Sequence, residues 1–296
     1  MTLFLYSLTV ILWGTTWIAI TLQNGSVDTV VSIFYRFVLA GLVLFVSLVL
    51  FGKLQKTKAS DHLWFLLQGC CLFCFNFICI YSSSAYLTSG LISIIFSLSV
   101  FYNAFNNRLF WKVVPAKSIY LAGILGIIGL TLLFWQELAD NNASNELFLG
   151  IGLAALGTYF FSLGNMISVQ LNKRSVNTLT SNAYGMNYGA IVLFAIIMLT
   201  NKPFVWDDSN EYFWSLLYLS IPGSVIGFTA YISLIKRIGA NQAAYATVLF
   251  PVIALAISSV YEDYSWGTLN ILGLLFVLYG NAVALNLFSK SDKTRS

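Results

Sequence analysis

The chain has 296 residues, of which 58% are hydrophobic and only 9% are charged, whereas soluble domains carry roughly 25% charged residues. This composition excludes a soluble globular protein and predicts an integral membrane protein. The formal net charge of +4 comes from basic residues that are scattered over many short loops. The sequence therefore has no basic patch for nucleic acid, and we expect no nucleic-acid partner.

The apolar residues form runs of about twenty, the length at which a helix crosses a hydrocarbon core roughly 30 Å thick. Spanning β-strands would need strict alternation of apolar and polar residues, which is missing. The sequence therefore predicts an all-α integral membrane protein in contact with the lipid bilayer. We expect ten transmembrane helices, over residues 3–22, 30–51, 63–81, 86–105, 117–135, 147–170, 179–199, 213–235, 241–260 and 266–288.

The charges of the connecting loops predict the orientation of these helices. With a cytoplasmic N-terminus, every basic residue except Lys202 and Arg36 falls in an inner loop or in the C-terminal tail, as the positive-inside rule requires. The acidic residues fall outside, with Asp61 and Asp292 as the exceptions. We therefore expect both the N- and the C-terminus to be cytoplasmic.

All four cysteines lie on one apolar run, at Cys70, Cys71, Cys74 and Cys79. A soft-metal or redox pair would need a histidine or a further cysteine to complete it. Since none is nearby, we read these residues as small, polarizable packing groups. We expect no metal and no other cofactor.

An internal repeat is visible in the sequence. The stretch that begins at Phe228 resembles the stretch that begins at Phe77, and Trp214 in the later half corresponds to Trp64 in the earlier one. A repeat of this length predicts a protein made of two related halves, which in a membrane is typical of a transporter.

Five helices in each half is an odd number, so the two halves must be inverted relative to each other. Inverted repeats place a binding site at their interface, where a central cavity opens alternately to either side of the membrane. The predicted units are the first five-helix repeat at 1–136, the second five-helix repeat at 147–289, and a cytoplasmic tail at 290–296.

Three short motifs accompany this organisation: Leu12-Trp13-Gly14, the run from Tyr35 to Gly41, and the run from Pro251 that ends at Glu262. Together they resemble the EamA-type branch of the drug/metabolite transporter superfamily, over nearly the whole chain. The resemblance implies a basket of ten helices, built from two inverted five-helix halves, around a central cavity for a small metabolite.

Arg36 is a charged residue inside the second predicted helix. A charge at the centre of a spanning helix costs at least roughly 2.5 kcal/mol on insertion scales, so it normally faces a cavity or a partner. One reading is a bidentate clamp for a substrate carboxylate or phosphate. The other is a structural arginine that binds backbone carbonyls or reaches toward Asp28. A carboxylate relay for protons is not supported, because no Asp or Glu lies in the middle of a predicted helix.

Neutral polar and aromatic residues supply the remaining candidates for substrate binding. Amide groups that face lipid would stay unpaired, so most should point inward. The alternative for each is a role in hydrogen bonding between helices or in the interfacial aromatic belt. With Arg36, the candidate substrate-binding residues are Trp13, Trp17, Asn76, Tyr102, Asn103, Tyr159, Asn165, Tyr231, Gln242 and Tyr245.

This lining suits a neutral, zwitterionic or aromatic solute held by hydrogen bonds and ring contacts. We therefore predict a secondary transporter for a small organic metabolite, first of all an amino acid or a related solute, that works by alternating access in the bacterial inner (plasma) membrane. A nucleotide-sugar or phosphate-ester carrier is the alternative. A membrane-embedded transferase would need an acid-base or metal motif, so we expect no enzyme. The oligomeric state stays open between monomer and homodimer.

Overall fold

The computed structural model describes residues 1–114, 117–135, 145–243, 245–262 and 266–284, and throughout these ranges the regular secondary structure is helical. The predicted tail at 290–296 lies outside the described residues. The helices are α1 Thr2–Thr21, α2 Thr29–Leu50, α3 Ala59–Ser83, α4 Ser89–Trp111, α5 Lys117–Leu133, α6 Asn145–Lys173, α7 Thr178–Leu199, α8 in three consecutive parts (Asn210–Tyr218, Leu219–Ile226 and Gly227–Ala243), α9 Tyr245–Tyr261 and α10 Thr268–Ala284.

Seven of these described helices, α1–α4 and α6–α8, are long and apolar enough to cross a membrane. The apolar helices α5, α9 and α10 are shorter. A helix of 17 residues rises only about 25 Å, less than the roughly 30 Å of a hydrocarbon core. The all-helical membrane architecture is thus confirmed, whereas ten spanning helices, the inverted repeat and the cytoplasmic termini stay predictions.

Polar residues at the helix starts explain several of the observed boundaries. The side chain of Asp28 accepts a hydrogen bond from the backbone N–H of Val30 at the start of α2. Asp61 accepts one from the N–H of Lys58, so α3 begins earlier than the predicted 63–81. Such caps satisfy N–H groups that have no partner within the helix.

The loop before α2 and the loop before α8 lie side by side. Lys202 Nζ is 2.7 Å from Asp28 Oδ2, and Ser26 Oγ donates to Asp207 Oδ2 at 2.9 Å. Hydrogen bonds from Ser209, then from Ser26, lower the pKa of Asp207 below its ordinary value. These contacts join a loop of the first half of the chain to a loop of the second half.

Several contacts between helices have a counterpart when the first five helices are exchanged with the last five. Helix α2 packs along α7, and α5 packs along α10. Helix α1 contacts α8 and α9, as α6 contacts α3 and α4. The correspondence is the one expected of two related halves that pack against each other.

Two π-helical segments occupy corresponding places in α3 and α8, at Gly69–Phe75 and Leu219–Ile226. Pro222 lies inside the second and removes a backbone donor. In the first, a Cβ atom on Gly69 would lie 2.6 Å from the carbonyl oxygen of Gly185, so only glycine allows α3 to approach α7 this closely. Segments of this kind occur frequently at functional sites.

Candidate substrate-binding cavity

A narrow cavity of about 40 Å³ lies between α1, α2, α3, α4, α6 and α8. This volume holds a few water molecules but is too small for an organic metabolite. Its walls are mostly aromatic and carry one charged residue. The lining residues are Trp13, Thr16, Trp17, Ile20, Arg36, Asn76, Phe77, Ile80, Phe96, Phe161 and Phe228.

Arg36 is only 2% exposed and is held by neutral groups from other helices. Its Nε donates to Ser224 Oγ on α8 at 3.0 Å, and its Nη1 donates to Tyr81 Oη on α3 at 3.2 Å. Tyr81 in turn donates to Gln23 Oε1 at 2.8 Å. The guanidinium carbon lies 4.4 Å from the ring centroid of Phe77. These contacts fix the orientation of the guanidinium beside the cavity without neutralising its charge.

No described carboxylate forms an ion pair with Arg36. The ion pairs of the described chain join Arg174 to Asp61 and Lys202 to Asp28. Asp28, which the structural reading of Arg36 offered as a partner, is therefore engaged elsewhere. Within the described residues, Nη2 of Arg36 also makes no hydrogen bond. An uncompensated buried charge is strongly unfavourable, so this arrangement is suited to an anionic ligand.

The two tryptophans of α1 form one wall of the cavity. Trp13 donates from Nε1 to the carbonyl oxygen of Gly223 at 3.3 Å, whereas Nε1 of Trp17 is buried and has no partner among the residues that the structure describes. The ring of Trp17 stacks on Phe250, with centroids 5.6 Å apart. A buried N–H without a partner costs about 1–3 kcal/mol, which makes Trp17 a donor available to a ligand.

Asn76 also lines the cavity, and its amide connects two helices. Its Nδ2 donates to the carbonyl oxygen of Gly157 on α6 at 2.8 Å. Of the predicted residues, Trp13, Trp17, Arg36 and Asn76 thus meet at one place. These four residues come from three helices, and the sequence alone did not show that they lie together.

Five other predicted residues do not line the cavity: Tyr102, Asn103, Tyr159, Asn165 and Tyr231. Tyr231 packs behind the wall, with its ring centroid 4.7 Å from that of Trp13. Asn103 accepts a hydrogen bond from Ser162 at 2.7 Å, which joins α4 to α6. The rings of Tyr102 and Tyr159 face each other 5.5 Å apart. These contacts correspond to the predicted alternative, hydrogen bonds and packing between helices.

The side chains of Gln242 and Tyr245, the two remaining candidates, lie outside the described residues. Sequence reasoning also missed Tyr81 and Ser224, which orient Arg36, and the aromatic residues Phe96 and Phe161 of the wall. A hydroxyl in an apolar helix was the available signal for the first two. It was weak, since serine commonly donates to its own helix backbone.

The fold and the cavity together define a helical membrane protein with a small cavity between helices of its two halves. The family model described as the EamA-like transporter family matches residues 1–135 and 148–286. The chain therefore belongs to the EamA-like transporter family, and the resemblance found in its motifs is confirmed.

Several curated proteins are similar to the chain along most of its length. Protein PagO of Salmonella typhimurium is 27% identical, over 96% of this chain and 93% of its own. An uncharacterized transporter of Buchnera aphidicola subsp. Schlechtendalia chinensis is 26% identical, over 97% and 92%. Protein PecM of Dickeya dadantii is 22% identical, over 96% and 92%.

A solved crystal structure superposes on the chain with a TM-score of 0.70 and 16% identity, covering 98% of both chains. This likeness shows a shared fold. The family, the apolar helices and the bacterial relatives establish a membrane transporter, integral to the bacterial inner membrane.

Proposed function

We propose that the protein is a secondary transporter for a small organic metabolite that carries a carboxylate, most directly an amino acid or a related zwitterionic or aromatic solute. One observation carries this proposal. Arg36 is buried beside the central cavity, its orientation is fixed by neutral groups, and no described carboxylate neutralises it. A substrate carboxylate supplies the missing charge.

Arginine is well matched to this task. Its planar guanidinium binds a carboxylate through two parallel hydrogen bonds, and it stays charged when buried. Nη2 makes no hydrogen bond to the described protein, and the cavity wall reaches Arg36 directly. Because Arg36 is the single cation of the lining, it compensates one negative charge. A nucleotide sugar or a phosphate ester carries more, and is the alternative substrate class.

The rest of the lining suits the other groups of an amino acid. The ring faces of Trp13, Trp17 and Phe161 attract an ammonium group and pack against an apolar side chain. Trp17 Nε1 offers a hydrogen-bond donor at the same wall, and Thr16 Oγ1, which donates to the carbonyl oxygen of Trp13 at 2.9 Å, can accept a hydrogen bond there. The mostly aromatic surroundings favour solutes with an apolar or aromatic side chain.

Alternating access between two inverted halves is supported by three features. The family model matches the chain twice, several helix contacts have a counterpart when the halves are exchanged, and the π-helical segments occupy corresponding positions in α3 and α8. Since the cavity of about 40 Å³ is too small for a substrate in this structure, the helices that line it have to move apart to admit one.

One contact joins the end of α9 to the start of α4, across the two halves. Glu262, after the end of α9, accepts hydrogen bonds from the backbone N–H of Ser89 at 3.1 Å to each carboxylate oxygen, and a further one from Ser89 Oγ. A carboxylate at the start of α4 also meets the positive end of the helix dipole. We infer that this contact stabilises the packing of α4 against α9 and that it breaks when the two halves move apart.

Counterflow in proteoliposomes tests the function without knowledge of a driving ion. Vesicles preloaded with an unlabelled solute are supplied with the labelled solute outside. The panel pairs amino acids with their amides, and adds phosphate esters. We expect exchange of amino acids, and exchange of the matched amides reduced by about tenfold to a hundredfold, because the charge-assisted bonds to Arg36 are lost.

Arg36→Ala abolishes exchange on this proposal, and Arg174→Ala, which removes an arginine at a helix end, preserves it. Equal exchange of acid and amide would contradict the role of Arg36. Exchange of phosphate esters alone would establish the alternative substrate class. No exchange of any solute by folded wild-type protein would contradict the carrier itself.

A further inference from the structure

A second, larger cavity lies on the side of the bundle, between α3, α4 and α6, and has a volume of about 320 Å³. It shares no lining residue with the central cavity. Its walls are formed by apolar and aromatic side chains, with one thiol and one amide. The lining residues of this lateral groove are Trp64, Leu67, Cys71, Phe110, Trp111, Leu163, Met166, Ile167 and Gln170.

The packing of the three helices explains the groove. Both α3 and α4 pack on α6, and Met166 of α6, which is only 4% exposed, forms the floor between them. Leu67 of α3 and Phe110 of α4 also line the groove and are 40% and 51% exposed. Since all three helices are long and apolar enough to cross the membrane, the groove opens sideways into the bilayer.

The groove is elongated along the helix axes. Its lining on α6 runs from Leu163 to Gln170, and its lining on α3 runs from Trp64 to Cys71. Each pair of residues is seven positions apart, which corresponds to about 10 Å of helix. The acyl chains of lipids lie in the same direction, because they and the spanning helices cross the same hydrocarbon core. The shape and the apolar lining therefore suit one acyl chain.

Two lysines lie at the end of the groove where α4 and α6 end. The ammonium nitrogen of Lys173, the last residue of α6, is 3.8 Å from the ring centroid of Trp111, and Lys112 follows Trp111 in the chain. Both lysines are exposed, and neither forms an ion pair within the described residues. The positive-inside rule accounts for basic residues at this end. It does not account for an ammonium group held on a ring that lines the groove.

We propose that the lateral groove binds an anionic phospholipid, with one acyl chain along α6 and the headgroup phosphate at Lys173 and Lys112. Basic pockets between spanning helices on the cytoplasmic side bind anionic headgroups, and the loop charges predict that this end is cytoplasmic. Trp64 and Trp111 suit the same place, since tryptophan is enriched where headgroups meet the hydrocarbon core. Each lysine should raise the preference for an anionic over a zwitterionic lipid about fivefold.

The location of the groove relates it to transport. The helices α3 and α4 line the groove and, through Phe77 and Phe96, also line the central cavity. An acyl chain between α3 and α4 therefore fills a space that changes when these helices move relative to α6. The effect of the lipid on transport rests on the function proposed above, whereas its binding does not.

Fluorescence quenching tests the binding on the full-length protein in lipid vesicles. Bromine atoms on an acyl chain quench the fluorescence of a tryptophan that the chain contacts. Brominated phosphatidylglycerol, or brominated phosphatidylcholine in a second series, replaces unbrominated phosphatidylcholine stepwise. The signal of the groove is the quenching that is lost when Trp64→Phe and Trp111→Phe are combined. We expect this signal to reach half its maximum at a mole fraction about fivefold or more lower for phosphatidylglycerol than for phosphatidylcholine.

Variants assign the preference to particular residues. The double change Lys173→Gln with Lys112→Gln should make the two lipids equal. Lys56→Gln removes an exposed cation at the same end but outside the lining, and should keep the preference of the wild type. Leu163→Phe places a larger side chain in the groove and should weaken quenching by both lipids, whereas Ile124→Phe, on the exposed face of α5, should not. Because both lysines are exposed, their variant tests the proposal independently of the folding of Leu163→Phe.

Three results would overturn the proposal. Equal quenching of the groove tryptophans by the two lipids would show lipid that covers the protein without selection. Quenching by neither lipid would show that no acyl chain enters the groove, as expected if a second copy of the chain covers it. A preference that falls equally in Lys56→Gln would show an effect of the overall charge at this end. Failure of counterflow leaves the binding result unaffected.

Discussion

Two arginines of this protein have opposite surroundings. Arg174, just after α6, donates from Nε to Asp61 Oδ1 at 2.8 Å and from Nη2 to Ser60 Oγ at 2.7 Å. Arg36, in α2, donates to two neutral hydroxyls and has no described carboxylate nearby. The first arginine is neutralised by the protein, and the second is only oriented by it.

The energetic terms of the two sites differ accordingly. The side chain of Arg174 is 31% exposed, and an ion pair of this kind contributes only about 0–1 kcal/mol. Arg36 is 2% exposed, and burial of a charge without a partner costs several kcal/mol even after relaxation. On the proposed function, binding of an anionic substrate offsets that cost. The comparison teaches that an arginine oriented but not neutralised by the protein is the better candidate for binding an anion.

The largest effect is expected from Arg36→Gln. Transport should fall by about a hundredfold or more, since the charge-assisted bonds to the substrate are lost. The unfolding temperature should stay equal or rise, because a buried charge is removed. The two hydroxyls keep other partners, Ser224 with the carbonyl oxygen of Leu219 and Tyr81 with Gln23. Counterflow and thermal unfolding measure the two responses, and a large fall in unfolding temperature would instead establish a structural arginine.

A carboxylate placed beside Arg36 should make it resemble Arg174. Ser224→Asp puts an acid within reach of Nε, and the resulting ion pair competes with the substrate. We expect transport to fall nearly as far as in Arg36→Gln, while Ser224→Asn, of similar size but neutral, retains most of it. The test compares the counterflow rate of Ser224→Asp with that of Ser224→Asn. Normal transport by folded Ser224→Asp would show that the free charge of Arg36 is not used.

A smaller effect is expected from Tyr81→Phe, which removes one of the two hydrogen bonds that orient Arg36. One such bond to a charged group contributes about 1.5 kcal/mol, so the apparent KM for the substrate should rise about tenfold with little change in maximal rate. Tyr212→Phe is the matched control, because Tyr212 bonds to Ser32 at 2.9 Å away from the cavity. Equal KM values in both variants would argue against orientation by Tyr81.

The smallest effect is expected from Asp61→Asn, which leaves Arg174 without its partner. The unfolding free energy should fall by about 1 kcal/mol or less, and the loss should shrink at high salt, since the pair is partly exposed. The KM for substrate should not change. Denaturation at low and high salt tests the first expectation and counterflow the second. A clear rise in KM would remove the distinction between the two arginines.

The sequence predicted a useful part of the candidate site and missed the rest for a definite reason. Trp13 and Trp17 are four residues apart, so one helix face carries both, and both line the cavity. Asn103 and Tyr102 satisfy the same compositional criteria, yet they contact α6 at other places. Membrane helices are apolar on every side, and periodicity therefore does not reveal which face is turned inward.

Helix existence, membrane insertion, the loop charges and the family followed from the sequence by itself. Each depends on local composition, because the free energy of transfer into the bilayer is summed along one segment. The tertiary structure decided which polar residues meet, and that Arg36 has neutral partners. Those facts depend on contacts between helices that are distant in the chain, and such contacts follow from the packing of whole helices.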